Sequence, residues 1–430
     1  MKGSSTRRHL FLVSSLALAV SAGNAFAGGY EKATLWDAKY SALAGAAVSS
    51  VNDSSAVYYN PAGLAFAEQN DVSLHVSPTF SRIDGPAEGS GSFVKGKTQF
   101  SPVGGFTGLY KLNDKTTLGY GIYAAGGSAS EYDVTVGSSA TSLSGKYSTD
   151  IKVLESGLAL GYSLNNNWSL GATYRLTYAY ADINLMSAAQ GIGIQASYND
   201  MSGWHKSGVR VGAMFRSDDN RWGWGINYRS EVQIKAEGKA SYNNALGKPL
   251  ARNQPAPFKG KDATAATALP MQIATGVDYR VADDLTLFGE VTFSKYSTNK
   301  SIEFDSDEQA LVVPQIPQKW DDQYSYRIAA EYTGIADWAL RGGYIYTTGL
   351  VPEEYAAVTF STPAAAHTVT FGAGTAIMDD KLELDFAADY SLVKNNDVKG
   401  GGAVSATSKA PAGKYQSQAL SIHMSATYKY

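Results

Sequence analysis

From Trp168 onward the chain alternates strictly. Trp168, Leu170, Ala172, Tyr174, Leu176, Tyr178 and Tyr180 form one series, and Ser169, Gly171, Thr173, Arg175, Thr177, Ala179 and Ala181 form the other. Successive side chains of a strand point to opposite faces, so one face is apolar and aromatic while the other is small or polar. Strands of soluble proteins run to about 5–6 residues, whereas a tilted strand needs about 9–11 to cross a bilayer. This run is long enough to cross. The same pattern recurs where Leu382, Leu384, Phe386, Ala388, Tyr390 and Leu392 oppose Glu383, Asp385, Asp389 and Ser391. It recurs again where Leu420, Ile422, Met424, Ala426, Tyr428 and Tyr430 oppose Ser421, His423, Ser425, Thr427 and Lys429. Mid-strand carboxylates are costly against lipid, so their face must look into a polar lumen. The fold class is all-β, a transmembrane barrel.

Composition agrees. The chain has 430 residues, no Cys, 28 Tyr, 15 Phe, 7 Trp and 44 Gly. The absence of Cys excludes disulfides, thiolate metal sites and thiol chemistry. Residues 1–27 read as a secretory signal: Lys2, Arg7 and Arg8 are basic, Leu10 to Val20 is apolar, and Ala25-Phe26-Ala27 suits cleavage. That piece carries three positive charges and no acid, so its removal takes the formal charge from −3 to −6. No later apolar run reaches the ~18 residues of a spanning helix. An exported, Tyr- and Gly-rich chain of this kind belongs in the bacterial outer membrane, and its negative charge disfavours nucleic acid as a partner.

Turn chemistry sets the strand number. Short polar turns fall at Asn113-Asp114, 165–167, 217–220, Asp283-Asp284, 334–337 and Asp379-Asp380, because Asn, Asp and Gly accept the backbone angles that tight hairpins require. Seven longer connections lie between and around them, at about 83–97, 125–146, 185–206, 237–268, 298–321, 348–364 and 394–413. Thirteen connections make fourteen strands, over residues 67–430. Residues 28–66 do not alternate. They are rich in small side chains (Ser41-Ala42-Leu43-Ala44-Gly45-Ala46-Ala47) and suit short helices and turns. A fourteen-stranded lumen is too wide for its own side chains to fill, and this segment is the natural plug.

With its N-terminal segment ending in Asn60-Pro61-Ala62-Gly63, the chain resembles the FadL-type outer-membrane transporters of long-chain fatty acids and other hydrophobic compounds. Further resemblance lies in Leu164-Asn165-Asn166-Asn167-Trp168-Ser169, Tyr228-Arg229-Ser230-Glu231-Val232, Leu269-Pro270 and Tyr326-Arg327-Ile328-Ala329. The resemblance implies a fourteen-stranded barrel with an N-terminal hatch. It also implies capture of ligand by extracellular loops, passage to a greasy pocket, and sideways exit where the third strand kinks.

Several residues are candidates for those roles. Leu185, Met186, Ile192, Ile194, Met201 and Trp204 are apolar in an expected surface loop, and either capture ligand or pack against neighbouring loops. Gly126, Gly127 and Ser128 are the kink candidates, since adjacent glycines weaken a strand and mark bends; an ordinary strand end is the alternative. Fatty-acid carriers of the family are expected to offer a basic residue to the ligand carboxylate, yet the corresponding position here holds Leu185. Arg175, Lys295 and Lys300 are possible substitutes, and neutral hydrocarbons remain open as ligands. The scattered His75, His205, His367 and His423 lack metal-ligand spacing, so no metal, cofactor or catalytic residue is expected. Expected partners are a hydrophobic small molecule, outer-membrane lipid and lipopolysaccharide, and the barrel assembly machinery, which reads the aromatic end at Tyr430; the chain is expected to be a monomer. A general diffusion porin is the alternative function, although a porin has no use for an N-terminal plug.

Overall fold

The computed structural model describes residues 36–430, except 87–92, 253, 309, 360–361 and 405–408. The expected signal segment 1–27 and the first part of the expected plug, 28–35, therefore lie outside the described residues. The wall strands are β1 (Asp71–Pro86), β2 (Gln99–Asn113), β3 (Thr116–Val136), β4 (Leu143–Ser163), β5 (Trp168–Ala189), β6 (Ile192–Arg216) and β7 (Trp222–Arg229). They continue with β8 (Gln272–Ala282), β9 (Leu285–Ser294), β10 (Gln323–Ile335), β11 (Trp338–Thr347), β12 (Ala366–Ile377), β13 (Leu382–Val398) and β14 (Gly413–Lys429). Each pairs antiparallel with the next. β14 pairs back onto β1, from Asp71↔Lys429 to Asp84↔Gln416, which closes a fourteen-stranded barrel.

The expected short turns all join consecutive wall strands at one end, and there Tyr430 donates its backbone N–H to the Asn70 carbonyl at 3.0 Å. In β5, Trp168, Leu170 and Tyr174 are exposed on the outside, while Ser169, Thr173, Arg175 and Thr177 are buried facing the lumen. In β14, Leu420, Ile422 and Met424 face out against buried Ser421, His423 and Ser425. Aromatic rings mark both rims of the outer apolar band, as barrels in bilayers require. Trp168 packs on Phe215 and Trp224 at the short-turn rim; Tyr178 packs on Trp204, and Phe293 on Tyr324, toward the other.

The long connections differ from expectation. β3 and β4 have 21 residues each, β5 has 22 and β6 has 25, about twice what the bilayer needs. Much of 125–146 and 185–206 is strand, and the actual connections shrink to 137–142 and 190–191. Most of 237–268 is strand as well, in Val232–Asn244 and Phe258–Leu269, which pair with each other beyond β7 and β8. Beyond the lipid the outward face meets water, so outward Asn184, Gln195 and Asn199 are polar while inward Leu185, Ile194 and Ala196 are apolar. The chemistry of the two faces is exchanged there, and a pattern read for lipid-facing strands stops at the membrane edge.

Candidate functional site: a plugged lumen with a cavity and a gap

Residues 36–67 occupy the inside of the short-turn half of the barrel. They form two short helices (Ala38–Ala42 and Ala56–Tyr59), then a 3-10 helix (Pro61–Phe66) started by Pro61 at its first position. Small side chains let this backbone approach the wall closely, and wall hydroxyls and carboxylates satisfy its polar groups. The Ala38 N–H donates to Ser425 Oγ at 2.9 Å, and the Ala47 and Val48 N–H groups both donate to Glu290 Oε2 at 3.0 Å. Thr370 donates to the Ala42 carbonyl at 2.8 Å, Ser169 to Ala62 at 2.9 Å, Thr173 to Val57 at 3.1 Å and Asn227 to Tyr59 at 2.8 Å. Burial pushes the Asp37 carboxyl up to about 6, with the nearby Asp53 charge adding to it.

Asn60 holds this segment at its centre. It is fully buried; its Oδ1 accepts from the Ala62 N–H at 3.2 Å, capping the 3-10 helix. Its Nδ2 donates to Val48 O at 2.8 Å within the segment and to Ala213 O at 3.3 Å and Ile226 O at 3.4 Å on β6 and β7. Gly171 and Gly212 make that fit possible: a Cβ on Gly171 would run into the Pro61–Ala62 backbone, and one on Gly212 into Asn60 Oδ1.

Above the segment lies a buried charged cluster. Glu155 Oε2 accepts from Arg175 Nε at 2.7 Å, Oε1 accepts from Tyr123 Oη at 2.7 Å, and Arg210 Nη1 stands 3.5 Å from the same Oε1. Arg210 also donates to the Val57 carbonyl at 3.0 Å and lies 4.6 Å above the Tyr58 ring. Two guanidiniums thus share one carboxylate, and Arg210 Nε has no hydrogen-bond partner among the described residues. Trp36 stacks on Tyr123 at 5.1 Å, so the N-terminal segment touches the cluster directly.

The next inward positions upward are apolar. Val153, Ala179, Met201, Ile234, Ala236 and Leu269 line a cavity of about 50 Å³. Beside it Tyr198 stacks on Phe304 with centroids 3.6 Å apart and donates to the Val313 carbonyl. The cavity is smaller than the ~150 Å³ that admits benzene in an engineered core, so a ligand must displace side chains to enter it.

The wall opens on the other flank of the cluster. β2 pairs with β1 along its length, but its pairing with β3 stops at Gly105↔Tyr123. Residues 99–104 have no pairing with β3; the two chains meet again only where the Lys97 N–H donates to the Glu131 carbonyl at 2.9 Å. Between those points β3 skips Ala125 in its register with β4, and Tyr123 to Ser130 are all buried, so alternate exposure is lost. Residues 348–359, after β11, fold in above this gap: Tyr132 donates to Val358 O at 2.9 Å, and Thr149 and Ser130 donate to Thr359 O at 2.6 and 3.2 Å.

The residues named from sequence are distributed among these features unevenly. Asn60, Pro61, Ala62 and Gly63 sit together in the centre of the lumen. Gly126, Gly127 and Ser128 lie at the gap, but in mid-strand, since β3 continues to Val136. Leu185, Met186, Ile194 and Met201 do not form an exposed loop. All four are buried: Leu185, Ile194 and Met201 on the inner faces of β5 and β6, and Met186 on the opposite face, level with Gln195 and covering Gly145; Ile192 is half-buried, and only Trp204 is exposed, on the outer wall. Turned inward from water or covered by their neighbours, these apolar side chains are unavailable as a surface patch. Arg175 is lumenal but already paired with Glu155. Lys295 and Lys300 are exposed where the chain leaves β9, and therefore cannot meet a ligand in the lumen. Arg210 and Glu155 were missed; their partners are two strands apart, and only the register shows them together.

The sequence profile of the family described as "Outer membrane protein transport protein (OMPP1/FadL/TodX)" matches residues 18–430. The long-chain fatty acid transport protein of Escherichia coli is 24% identical, covering 95% of this chain and 97% of its own. Among solved structures, a Pseudomonas aeruginosa FadL homologue superposes with a TM-score of 0.77 at 17% identity, covering 94% of this chain and 100% of its own. The Pseudomonas putida toluene transporter TodX superposes with a TM-score of 0.65 at 17% identity, over 93% and 99%. A closed fourteen-stranded wall, a filled lumen and a match over nearly the whole length make this chain a member of the OMPP1/FadL/TodX family of outer-membrane transporters for hydrophobic compounds.

Proposed function

We propose that the chain admits an amphipathic hydrophobic ligand to the cavity above the arginine cluster, that residues 28–66 act as the hatch, and that ligand leaves sideways between β2 and β3. The observation that carries this reading is the juxtaposition of the three features: Tyr123 ends the β2–β3 pairing, bonds Glu155, and stacks on Trp36 of the N-terminal segment. A ligand carboxylate that takes up Arg210 competes with Glu155 and with the Val57 carbonyl, and so loosens one anchor of the segment. The surplus guanidinium favours an anionic head such as a long-chain carboxylate over a neutral hydrocarbon, because a buried charge without a counter-charge is costly. A packed lumen opposes the reading as an open diffusion porin. Monomeric action and recognition of the β14 end by the assembly machinery complete the proposal, supported by a wall that closes within one chain and by the stacked Tyr428–Tyr430 pair.

The test is conductance in planar bilayers, comparing the mature protein with a variant lacking residues 28–66, followed by binding of a fatty acid and an alkylbenzene. A silent parent with a conducting deletion supports the hatch. Steady conduction by the parent refutes it. Equal affinity for the two ligands, unchanged by Arg210→Met, refutes the anionic head.

A further inference from the structure

Outside the barrel, above the aromatic rim where Tyr178 packs on Trp204, the strand extensions carry a groove of about 590 Å³ that the transport path does not use. Register places its polar side chains in rows across three strands: Asn184 beside Ser197 beside Ser241, then Gln195 beside Asn243, with Asn199 one step below. Their chain neighbours Leu185, Ala196 and Tyr198 are buried toward the lumen, so these side chains point outward. Every member of the rows is a neutral amide or hydroxyl. No carboxylate lines the groove, its one charged residue is Lys259, and Phe258 supplies a ring at one end.

Three of the six bond inside the protein: Asn184 Nδ2 donates to Ser148 Oγ at 3.2 Å, Ser241 Oγ accepts from the Gly260 N–H at 3.0 Å, and Asn243 Oδ1 accepts from the Asn244 N–H at 2.9 Å. Gln195, Asn199 and Ser197 make no side-chain hydrogen bond to the other described residues, although Ser197 is only 7% exposed and lines the groove. The Ser197 hydroxyl keeps contact with solvent through the groove and is open there as a donor or acceptor. Amides offer two donors and an acceptor on one plane, and hydroxyls offer both roles. Such an array is complementary to a ligand that is itself dense in hydroxyl groups and carries no charge. A volume in the ~300–1,000 Å³ range of small-molecule sites suits two or three linked rings. The height on the wall, just past the aromatic rim and on the lipid-facing side, is where the headgroups of the outer leaflet stand.

We propose that these rows are a saccharide site, which holds the neutral sugars of an outer-leaflet glycolipid against the outer wall of β5, β6 and the extension Val232–Asn244. The site would fix the strand extensions relative to the membrane surface without touching the lumen.

The experiment reconstitutes the mature protein in phosphatidylethanolamine vesicles containing lipopolysaccharide with either a full neutral-hexose core or a core cut back to its innermost acidic sugars. Glycolipid retained per protein after detergent extraction is the readout. Full-core glycolipid should be retained at least tenfold better than the truncated form. The double variant Gln195→Ala with Asn243→Ala should lose at least tenfold of that retention, as should Ser197→Trp, which fills the groove. Delipidated core oligosaccharide should compete. Because Ser197→Trp can disturb the wall, the exposed-side double variant carries the test, with heat-modifiable mobility on gels reporting a folded barrel. Equal retention of the two glycolipids, failure of the free oligosaccharide to compete, or undiminished retention by the folded double variant overturns the proposal.

Discussion

Replacing Asn60 by Ala isolates the seat of the N-terminal segment without altering the wall. The side chain is fully buried and makes one capping bond to the Ala62 N–H, one bond to Val48 O, and two longer bonds to Ala213 O and Ile226 O. A neutral hydrogen bond contributes about 1 kcal/mol net, and carbonyls left unsatisfied in a buried site cost about 1 kcal/mol or more. The Ala62 and Val48 bonds lie within the segment, so only the two longer wall bonds, counted as one, enter the balance between seated and displaced states, which shifts by about 1.4 kcal/mol. At about 1.4 kcal/mol per tenfold, the population of the displaced segment rises roughly tenfold. Single-channel recording at fixed voltage reads that population as the fraction of time spent conducting. The exposed Asn52→Ala serves as a control that leaves the seat intact. A folded Asn60→Ala barrel as silent as its parent would refute the argument that this residue holds the lumen shut.

Four further outcomes follow from the same geometry. Gly171→Ala pushes a methyl into the Pro61–Ala62 backbone, so overpacking of about 1–3 kcal/mol should also raise channel openings; unchanged traces would contradict the close fit. Deleting Ala125, which the β3–β4 register skips, should restore regular pairing and close the gap, abolishing uptake by whole cells while leaving ligand binding to purified protein intact. Filling the cavity with Ala236→Trp should lower ligand affinity at least tenfold, measured by fluorescent fatty-acid displacement, with barrel melting unaffected. Asp37 has its carboxyl raised from 3.8 to about 6, so the folded state binds its proton more tightly than the unfolded chain. Its destabilising effect is present above about pH 6 and is relieved as pH falls toward 4; over that window closure of the parent should tighten relative to Asp37→Asn, and parallel responses of the two would refute the assignment.

The barrel itself was legible because the bilayer imposes one rule on all strands that cross it. Trp168 to Tyr180 and Leu420 to Tyr428 obey it residue by residue, and Asn, Asp and Gly mark the short turns between such runs. The N-terminal segment stood out by failing the same rule. Legibility stopped where the rule stops. Leu185, Ile194 and Met201 belong to strand extensions in water, whose apolar side is the lumen, so they read as a greasy loop. The gap could be suspected from Gly126 and Gly127, but the loss of pairing between residues 99–104 and β3 is a relation between two strands. The charged cluster is harder still: Glu155, Arg175 and Arg210 come from three strands, and no local pattern announces that two arginines share one acid.

The filled lumen has a bearing on how such a chain must assemble. Ala38, Ser54 and Trp36 bond to Ser425, to Ser73 and to Ser77, which flank the β1–β14 seam where the first and last strands meet. The Ala38–Ser425 contact joins residues 387 positions apart, among the longest loops that the chain can close. A finished cylinder offers the segment no side door wide enough to enter fully folded, and the empty cylinder would leave Ser425, Thr370 and Glu290 without the segment's backbone groups that they bind. The order of events that avoids both difficulties places the N-terminal segment against a still-open sheet, with the seam zipping last around it. Such late, distant closure is slow by nature, and any substitution that delays the seating of the segment should be felt first as a defect of biogenesis, before transport is ever measured.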